Sequence, residues 1–464
     1  MNSIKKNLFY NVFYQFLSLI LPMITAPYIS RILGVEALGT YSYSYSVASY
    51  FLLFAMLGIS NHGNRSIAAC RDDKGKMSQT FSNIYIIQFI NSILIIFIYT
   101  IYSVIFSENN QIALIQEIIV ISALFDISWF YFGIEQFKVT VMRNTICKIL
   151  TVVAVFIFVK KPEDLFIYAF IMATSVLVSQ ILLWSFLKKY INLSKPTFIN
   201  LKKDIKEIMV LFLPVLAYSF YRIMSKIMLG NMSNMTEVGY FENADKIIVM
   251  PMGIITALGT VMLPRISNLI SKGQHKLQKL YIENSFQFVT ITASALCFGL
   301  AGISNIFAPI FFGDEFIKSG NLIALLSITI LFASWASVIR TQYLIPNKLD
   351  KIYVLSMSIG AISNILINLV LIPKFKSYGA SIGTISAEFL VMFVQFWCVR
   401  RDLNIKIYIK RNSIYLLFGF IMFLLVRLIG YHMSQNIITL IIIIAFGAII
   451  YIGLVLVHLL YKKR

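Results

Sequence analysis

The sequence has few charged residues and no polar stretch long enough for a soluble domain. Charged side chains make up 13% of the 464 residues, whereas 59% are hydrophobic. No globular fold buries so much apolar surface in a single core, so a soluble protein is excluded and lipid is the expected solvent. The longest polar stretch, 188–207, is too short to form a domain with a core of its own.

The residues that most catalytic and metal sites need are also scarce. There are four histidines and four cysteines, and the histidines do not cluster with cysteine or carboxylate at metal-ligand spacing. The sequence contains no phosphate loop of the form G-x-x-x-x-G-K-[ST]. We therefore expect no ATP hydrolysis, no catalytic residues, no metal site and no cofactor. The protein is not expected to be an enzyme.

The chain does contain a long series of apolar runs, each close to the length of about 20 residues that spans a bilayer as a helix. Short polar breaks bearing Gly or Pro separate them. The pattern predicts an all-α membrane protein with about 14 transmembrane helices. The predicted spans lie near 8–30, 38–60, 80–106, 112–135, 143–160, 165–187, 208–230, 240–263, 283–307, 321–343, 352–372, 379–400, 412–430 and 436–460.

The net charge of +20 raises the question of nucleic-acid binding. Most of the 40 Lys and Arg residues, however, fall in alternate loops and in both termini, while the intervening loops hold few. This is the positive-inside pattern of a multi-pass membrane protein. It predicts an even number of helices, cytoplasmic N- and C-termini and no nucleic-acid partner.

A short motif recurs in the two halves of the chain. The segment GVEALGTY at 34–41 has a partner in TEVGY at 236–240, and an arginine follows the final glycine of each at the same distance. Glycine before a helix is also common for conformational reasons alone. The prediction of an internal repeat therefore depends on the equal spacing and on the equal number of helices in each half. We expect two pseudo-symmetric six-helix lobes around a central cavity, followed by two C-terminal helices. The predicted division is 1–206, 207–406 and 407–464.

Charged side chains inside the predicted spans are the first candidate functional residues, because each costs about 2.5 to 3.5 kcal/mol to insert. Arg222 and Lys226 lie four residues apart, on one face of helix seven. Their cations suit an anionic headgroup in the cavity. Glu242, Asp245 and Lys246 lie just inside helix eight. The two acids either neutralise the cations as a structural cluster or take part in gating, and both alternatives stay open.

Helices one and four supply the remaining candidates. Arg31 joins Arg222, Lys226 and Lys246 as a candidate substrate-binding cation of the cavity. Asp126, near the middle of helix four, could relay a coupling ion such as H⁺ or Na⁺, or could cap or pair with a neighbouring helix. The candidates for coupling or gating are Asp126, Glu135, Glu242 and Asp245.

Five segments resemble those of a known family. They are RILGVEALGTY at 31–41, DISWFYFGIEQF at 126–137, GYFENADK at 239–246, LPRIS at 263–267 and PKFKSYGASIG at 373–383. In these segments the chain resembles the Wzx-type O-antigen and polysaccharide flippases, and the similarity extends over essentially the whole sequence. The segment 126–137 is the most specific of the five. Ser225 stands where family members often carry an acidic residue, which leaves helix seven more cationic.

The resemblance implies the fold of the multidrug/oligosaccharidyl-lipid/polysaccharide exporter superfamily, a MATE-like fold. It also implies a flippase that moves undecaprenyl-diphosphate-linked oligosaccharides by alternating access, from the cytoplasmic to the periplasmic leaflet of the bacterial inner membrane. The product would serve O-antigen, capsule or other surface polysaccharide synthesis. Membrane lipids, a polysaccharide polymerase and a chain-length regulator are the further partners it suggests.

Three alternatives are weighed against a flippase. A drug or cation antiporter of the same fold would favour a carboxylate-lined cavity, which Arg222 and Lys226 do not suit. A polymerase or ligase would need a large outward loop with catalytic residues, and every predicted outward loop is short. A membrane subunit of a polysaccharide assembly complex without transport of its own has no feature in the sequence that separates it from a flippase.

Overall fold

A computed structural model of the chain describes the backbone of residues 2–192, 194–197 and 201–463. Nearly all of these residues are helical, and the part described contains no strand, which confirms the all-α fold class. The chain forms two compact units, Met1–Ser219 (unit 1) and Phe220–Arg464 (unit 2). The boundary between them falls inside one helix, α8.

Seven helices belong entirely to unit 1. They are α1 (Asn2–Met56), α2 (Ile59–Cys70), α3 (Lys74–Ile101), α4 (Asn110–Phe125), α5 (Ser128–Gly133), α6 (Phe137–Phe158) and α7 (Leu165–Leu187). The shared helix is α8 (Leu201–Met232). Unit 2 continues with α9 (Met235–Ser271), α10 (His275–Phe312), α11 (Ile317–Leu326), α12 (Ile328–Ile339), α13 (Asp350–Phe375), α14 (Ser377–Val399), α15 (Ile405–His432) and α16 (Ile437–Lys463).

Ten helices of the described chain are long and apolar enough to cross a membrane, or up to 12 if each of two bent pairs forms one span. The predicted number of about 14 is therefore not confirmed as a count. Part of the difference lies in α1, which contains the first predicted span and most of the second and bends at Gly34, where φ is 75°. The fourth predicted span is also divided, because α4 ends at Phe125 and α5 begins at Ser128.

Large apolar side chains cover the exterior of both units. Ile90 and Phe97 on α3 are 61% and 64% exposed, and Val370 on α13 and Leu428 on α15 reach 61% and 62%. Exposed apolar area on this scale would drive a soluble protein to aggregate. It is the surface expected of helices whose solvent is lipid, because helices satisfy their own backbone hydrogen bonds. The chain is a multi-pass membrane protein.

The segment 126–137 contributes its aromatic residues to the core of unit 1. Trp129, Phe130 and Tyr131 are fully buried. The Trp129 indole donates a hydrogen bond to Gln88 Oε1 on α3 at 3.0 Å. A Cβ added to Gly63 would lie 2.4 Å from the Trp129 ring, so glycine is required for α2 and α5 to approach this closely. The most specific motif in the sequence thus provides packing at the centre of the unit.

Close helix pairing organises unit 2. Gly379 and Gly383 stand four residues apart on α14, a small-residue spacing that lets membrane helices approach backbone to backbone. A Cβ at Gly383 would lie 2.0 Å from Asn368 Oδ1, and one at Gly379 would lie 2.5 Å from the Leu371 backbone. Helices α13 and α14 therefore pack together extensively. The C-terminal pair α15 and α16 packs against α10 within the same unit.

Candidate functional site

The five charged residues predicted in helices seven and eight do come together, in unit 2. Helices α8 and α9 are antiparallel neighbours joined by a short turn, in which the Asn234 side chain caps α9 by accepting from the Glu237 amide at 3.0 Å. Arg222 and Lys226 on α8 face Glu242 and Asp245 on α9. We refer to Arg222, Lys226, Glu242, Asp245 and Lys246 as the α8–α9 cluster.

Lys226 is the centre of the α8–α9 cluster. Its Nζ lies 2.5 Å from Glu242 Oε2 and 3.5 Å from Asp245 Oδ2. The Arg222 guanidinium reaches the same Asp245 oxygen at 4.0 Å, and Lys246 Nζ lies 3.2 Å from Glu242 Oε1. The Lys226, Glu242 and Asp245 side chains are only 13 to 17% exposed. Three cations thus meet two carboxylates, so pairing offsets much of the cost of burying them.

Ser225 belongs to a neutral network beside this cluster. Its hydroxyl donates to Asn364 Oδ1 at 3.0 Å and accepts from Asn368 Nδ2 at 3.1 Å. Asn368 Nδ2 also donates to Asn364 Oδ1 at 3.0 Å. All three side chains are buried. Family members often carry an acidic residue at the position of Ser225. In this chain the position instead provides an uncharged hydrogen-bonded link between α8 and α13.

The other predicted residues lie in unit 1 and apart from one another. Asp126 sits at the break between α4 and α5, where its Oδ1 accepts from the Ser128 amide at 2.9 Å and from the Ser128 hydroxyl. Glu135, in the turn before α6, pairs with Arg71 at 2.7 Å, and both side chains are largely exposed. That hydrogen bond and the negative charge of Glu135 raise the pKa of Arg71. Arg31 lies exposed on α1.

A cavity of about 490 Å³ lies inside unit 1 between α1, α5, α6 and α7. Among the described residues that line it, Arg143 and Lys148 are charged, and both are basic. Its remaining polar side chains are hydroxyls, amides and one thiol, and Phe132 and Tyr168 add aromatic surface. We call this the basic cavity. Its polar lining residues are Thr25, Ser128, Arg143, Asn144, Cys147, Lys148, Thr151, Tyr168, Ser175, Ser179 and Gln180.

Neighbouring side chains hold Arg143 in place. It is only 8% exposed. Its Nη1 donates to the Ser179 carbonyl at 3.0 Å and to Gln180 Oε1 at 2.8 Å, both on α7. Its Nε and Nη2 donate to Asn144 Oδ1 at 3.0 and 2.6 Å. These neutral oxygens fix the orientation of the guanidinium.

Arg143 and Lys148 are not among the residues that the sequence predicted for the site, so the basic cavity was missed. The reason is that α6 begins at Phe137, six residues before the predicted span. The signal was nevertheless in the sequence. Arg143, Cys147 and Thr151 repeat every four residues, with Asn144 and Lys148 beside them, which is the spacing of one polar helix face.

A second, mixed-charge cavity of about 610 Å³ lies where α2 meets the first part of α8. His62 is buried there, with Nε2 3.4 Å from Asp204 Oδ1 and Nδ1 3.3 Å from Glu207 Oε2. Arg65, Lys206 and Glu207 line the cavity. Because Glu207 lines it beside these cations, it suits an anionic ligand less well than the basic cavity does.

Comparison with known proteins identifies the family of this chain. The sequence pattern of the family described as "Polysaccharide biosynthesis protein" matches residues 4–270, more than half of the chain. The chain belongs to this family. Among its relatives is a putative O-antigen transporter of Escherichia coli (strain K12), 23% identical over 406 residues, which cover 86% of this chain and 97% of that protein.

Solved structures place this polysaccharide biosynthesis protein in a known fold. The lipid II flippase MurJ in an inward closed conformation superposes with a TM-score of 0.78 at 14% identity, covering 99% of each chain. An inward-facing multidrug resistance transporter of the MATE family gives a TM-score of 0.61 at 11% identity, covering 84% of this chain and 96% of that one. These similarities confirm the predicted MATE-like fold.

Proposed function

We propose that this member of the polysaccharide biosynthesis protein family is a flippase. It moves undecaprenyl-diphosphate-linked oligosaccharide repeat units from the cytoplasmic to the periplasmic leaflet by alternating access, and the units are used for O-antigen, capsule or another surface polysaccharide. The observation that carries the proposal is the basic cavity. Transporter relatives and the flippase fold support it, and no catalytic step is required.

The lining of the basic cavity matches the two polar parts of such a substrate. A guanidinium presents a planar fork of N–H donors that fits phosphate oxygens, so Arg143, with Lys148 beside it, is suited to a diphosphate. Hydroxyl and amide groups such as those of Ser175 and Gln180 can exchange hydrogen bonds with sugar hydroxyls. Tyr168 offers an aromatic surface. A cationic drug would favour carboxylates instead, which argues against a drug or cation antiporter.

Arg222, Lys226 and Lys246 of the α8–α9 cluster and Arg31 on α1 are the further proposed contacts for the anionic headgroup, because cations attract a diphosphate. For coupling to H⁺ or Na⁺, Glu242 and Asp245 are the strongest candidates because their side chains are only 13% exposed. Asp126 accepts hydrogen bonds from Ser128 at a helix break, and Glu135 lies in an exposed ion pair, so their contacts favour structural roles.

The proposal includes a location and an orientation. The protein lies in the bacterial inner membrane with both termini in the cytoplasm, because the basic residues alternate between loops as the positive-inside rule requires. A polymerase and a chain-length regulator would use the translocated product. A polysaccharide complex subunit without transport is the competing proposal.

Transport by the purified full-length protein in liposomes tests the proposal. Undecaprenyl-diphosphate-linked oligosaccharide is placed in the inner leaflet, and its appearance outside is followed with an impermeant glycosidase. We expect protein-dependent exposure of this lipid and no uptake of a cationic dye such as ethidium. Dye uptake without lipid movement would instead identify a drug antiporter.

A deletion strain provides the cellular test. In a host with no second flippase, we expect lipid-linked oligosaccharide to accumulate in the inner leaflet and to be exposed again when the gene is restored. Normal exposure in the deletion strain would contradict the proposal and favour a subunit without transport.

A further inference from the structure

A third cavity, of about 390 Å³, lies in unit 2 between α10 and α15, and none of its described lining residues belongs to the α8–α9 cluster. It is near the C-terminal ends of both helices, on the side that the charge pattern assigns to the periplasm. Asn305 and Ile306 line it from α10, and Arg427 and Tyr431 line it from α15. Gln435 closes it from the loop that follows α15.

Arg427 is the unusual residue of this cavity. Its Nη1 is shielded from solvent and has no hydrogen-bond partner, and no ion pair involves it within the part of the chain that the structure describes. An arginine near the end of a membrane helix normally extends its charge to water at the interface. Here the guanidinium turns into a cavity instead, and a buried charged donor requires an acceptor.

Two glycines shape the cavity beside this arginine. A Cβ on Gly302 would lie 2.8 Å from Val426 Cγ1, and a Cβ on Gly430 would lie 2.8 Å from Ile306 Cδ1. Helices α10 and α15 therefore approach closely on either side of Arg427. Tyr431, which also lines the cavity, is largely exposed.

We infer that this cavity binds the phosphate group of a membrane lipid in the outer leaflet, with Arg427 as the main contact. The guanidinium supplies a fork for two phosphate oxygens, and the Asn305 and Gln435 amides can donate further hydrogen bonds. Arg427 is five residues from the end of α15, a depth of about 8 Å along the helix, close to the headgroup level. Ile306 and Tyr431 offer apolar surface to the start of an acyl or prenyl chain.

Lipid retention by the full-length protein tests this inference. The purified protein is titrated with phosphatidylglycerol, undecaprenyl diphosphate or phosphatidylcholine, and bound lipid is counted by native mass spectrometry. We expect one of the two anionic lipids to be retained over phosphatidylcholine, and we expect Arg427→Gln to weaken that retention by about tenfold. The lipid that shows this loss identifies the source of the phosphate.

Two further variants make the result specific. Arg427→Lys keeps the charge but loses the fork, so it should retain the lipid at an intermediate level while remaining folded. Lys374→Gln removes an exposed cation from the C-terminal end of α13, also predicted on the outer side, and should leave retention unchanged. Equal retention of both anionic lipids by the wild type and a folded Arg427→Gln variant would overturn the inference. This measurement involves no transport and is independent of the flippase proposal.

Discussion

The basic cavity of unit 1 and the α8–α9 cluster of unit 2 both place cations inside membrane-spanning helices, but they stabilise them differently. In the cluster, Lys226 and Arg222 face carboxylates, so most of the charge is cancelled. In the basic cavity, Arg143 donates to the Ser179 carbonyl and to the side-chain amide oxygens of Gln180 and Asn144, which are neutral acceptors. Pairing with acids favours stability, whereas neutral hydrogen bonding preserves a charge for an anionic ligand. The following variants test this distinction.

The largest effect is expected on transport, from removing both charges of the basic cavity. Each lost contact between a charged side chain and a phosphate costs about 2 kcal/mol, so the double variant Arg143→Gln, Lys148→Gln should transport at least about 100-fold more slowly. The liposome assay measures the rate. Lys374→Gln serves as the matched control. Wild-type transport by a folded double variant would remove the basic cavity from the substrate path.

A large effect on stability is expected in the α8–α9 cluster. Lys226→Met leaves Glu242 and Asp245 partly buried with less compensation, which should lower the free energy of unfolding by about 3 kcal/mol. Denaturant unfolding in detergent micelles measures it. Adding Glu242→Gln to this variant should recover much of the loss, because the uncompensated charge is then removed. If Lys226→Met keeps full stability but abolishes transport, the main role of the cluster is to bind substrate. The distinction between a stabilising cluster and a substrate-binding basic cavity would then be wrong.

A smaller effect is expected from the neutral network beside the cluster. Ser225→Ala removes the hydroxyl that donates to Asn364 and accepts from Asn368. It should lower the free energy of unfolding by about 1 kcal/mol, with little change in transport. Ser413→Ala, in which an exposed hydroxyl bonded to the Lys410 carbonyl is lost, is the control and should be neutral. A strong transport defect in Ser225→Ala would show that the network acts in the transport cycle.

The smallest effect is expected at the surface of unit 1. Glu135→Gln breaks the exposed pair with Arg71, and solvent screens such pairs, so neither the melting temperature nor the transport rate should change measurably. Arg71→Gln should behave in the same way. Loss of transport in Glu135→Gln alone would restore this residue as a coupling or gating group.

Asp126 shows where prediction of the fourth helix from the sequence alone falls short. A continuous fourth helix would have put Asp126, Phe130 and Gly133 on one face. In the structure α4 ends just before Asp126, whose side chain accepts from the Ser128 amide, while Phe130 and Gly133 are buried. The choice between this local side-chain hydrogen bond and a continuous helix is decided by the aromatic packing of Trp129 and Tyr131, which involves α2, α3 and α7 and is not visible in one helix.

The sequence by itself determined the membrane environment and the helical class, because apolar runs and loop charges are local properties of the chain. It also determined that α8 and α9 would bring their charges together, since a short turn leaves their facing residues little choice. Only the tertiary structure decided that Arg143 lines a cavity and that Arg427 turns inward. The orientation of a long cationic side chain depends on which helices surround it, and those helices come from distant parts of the sequence.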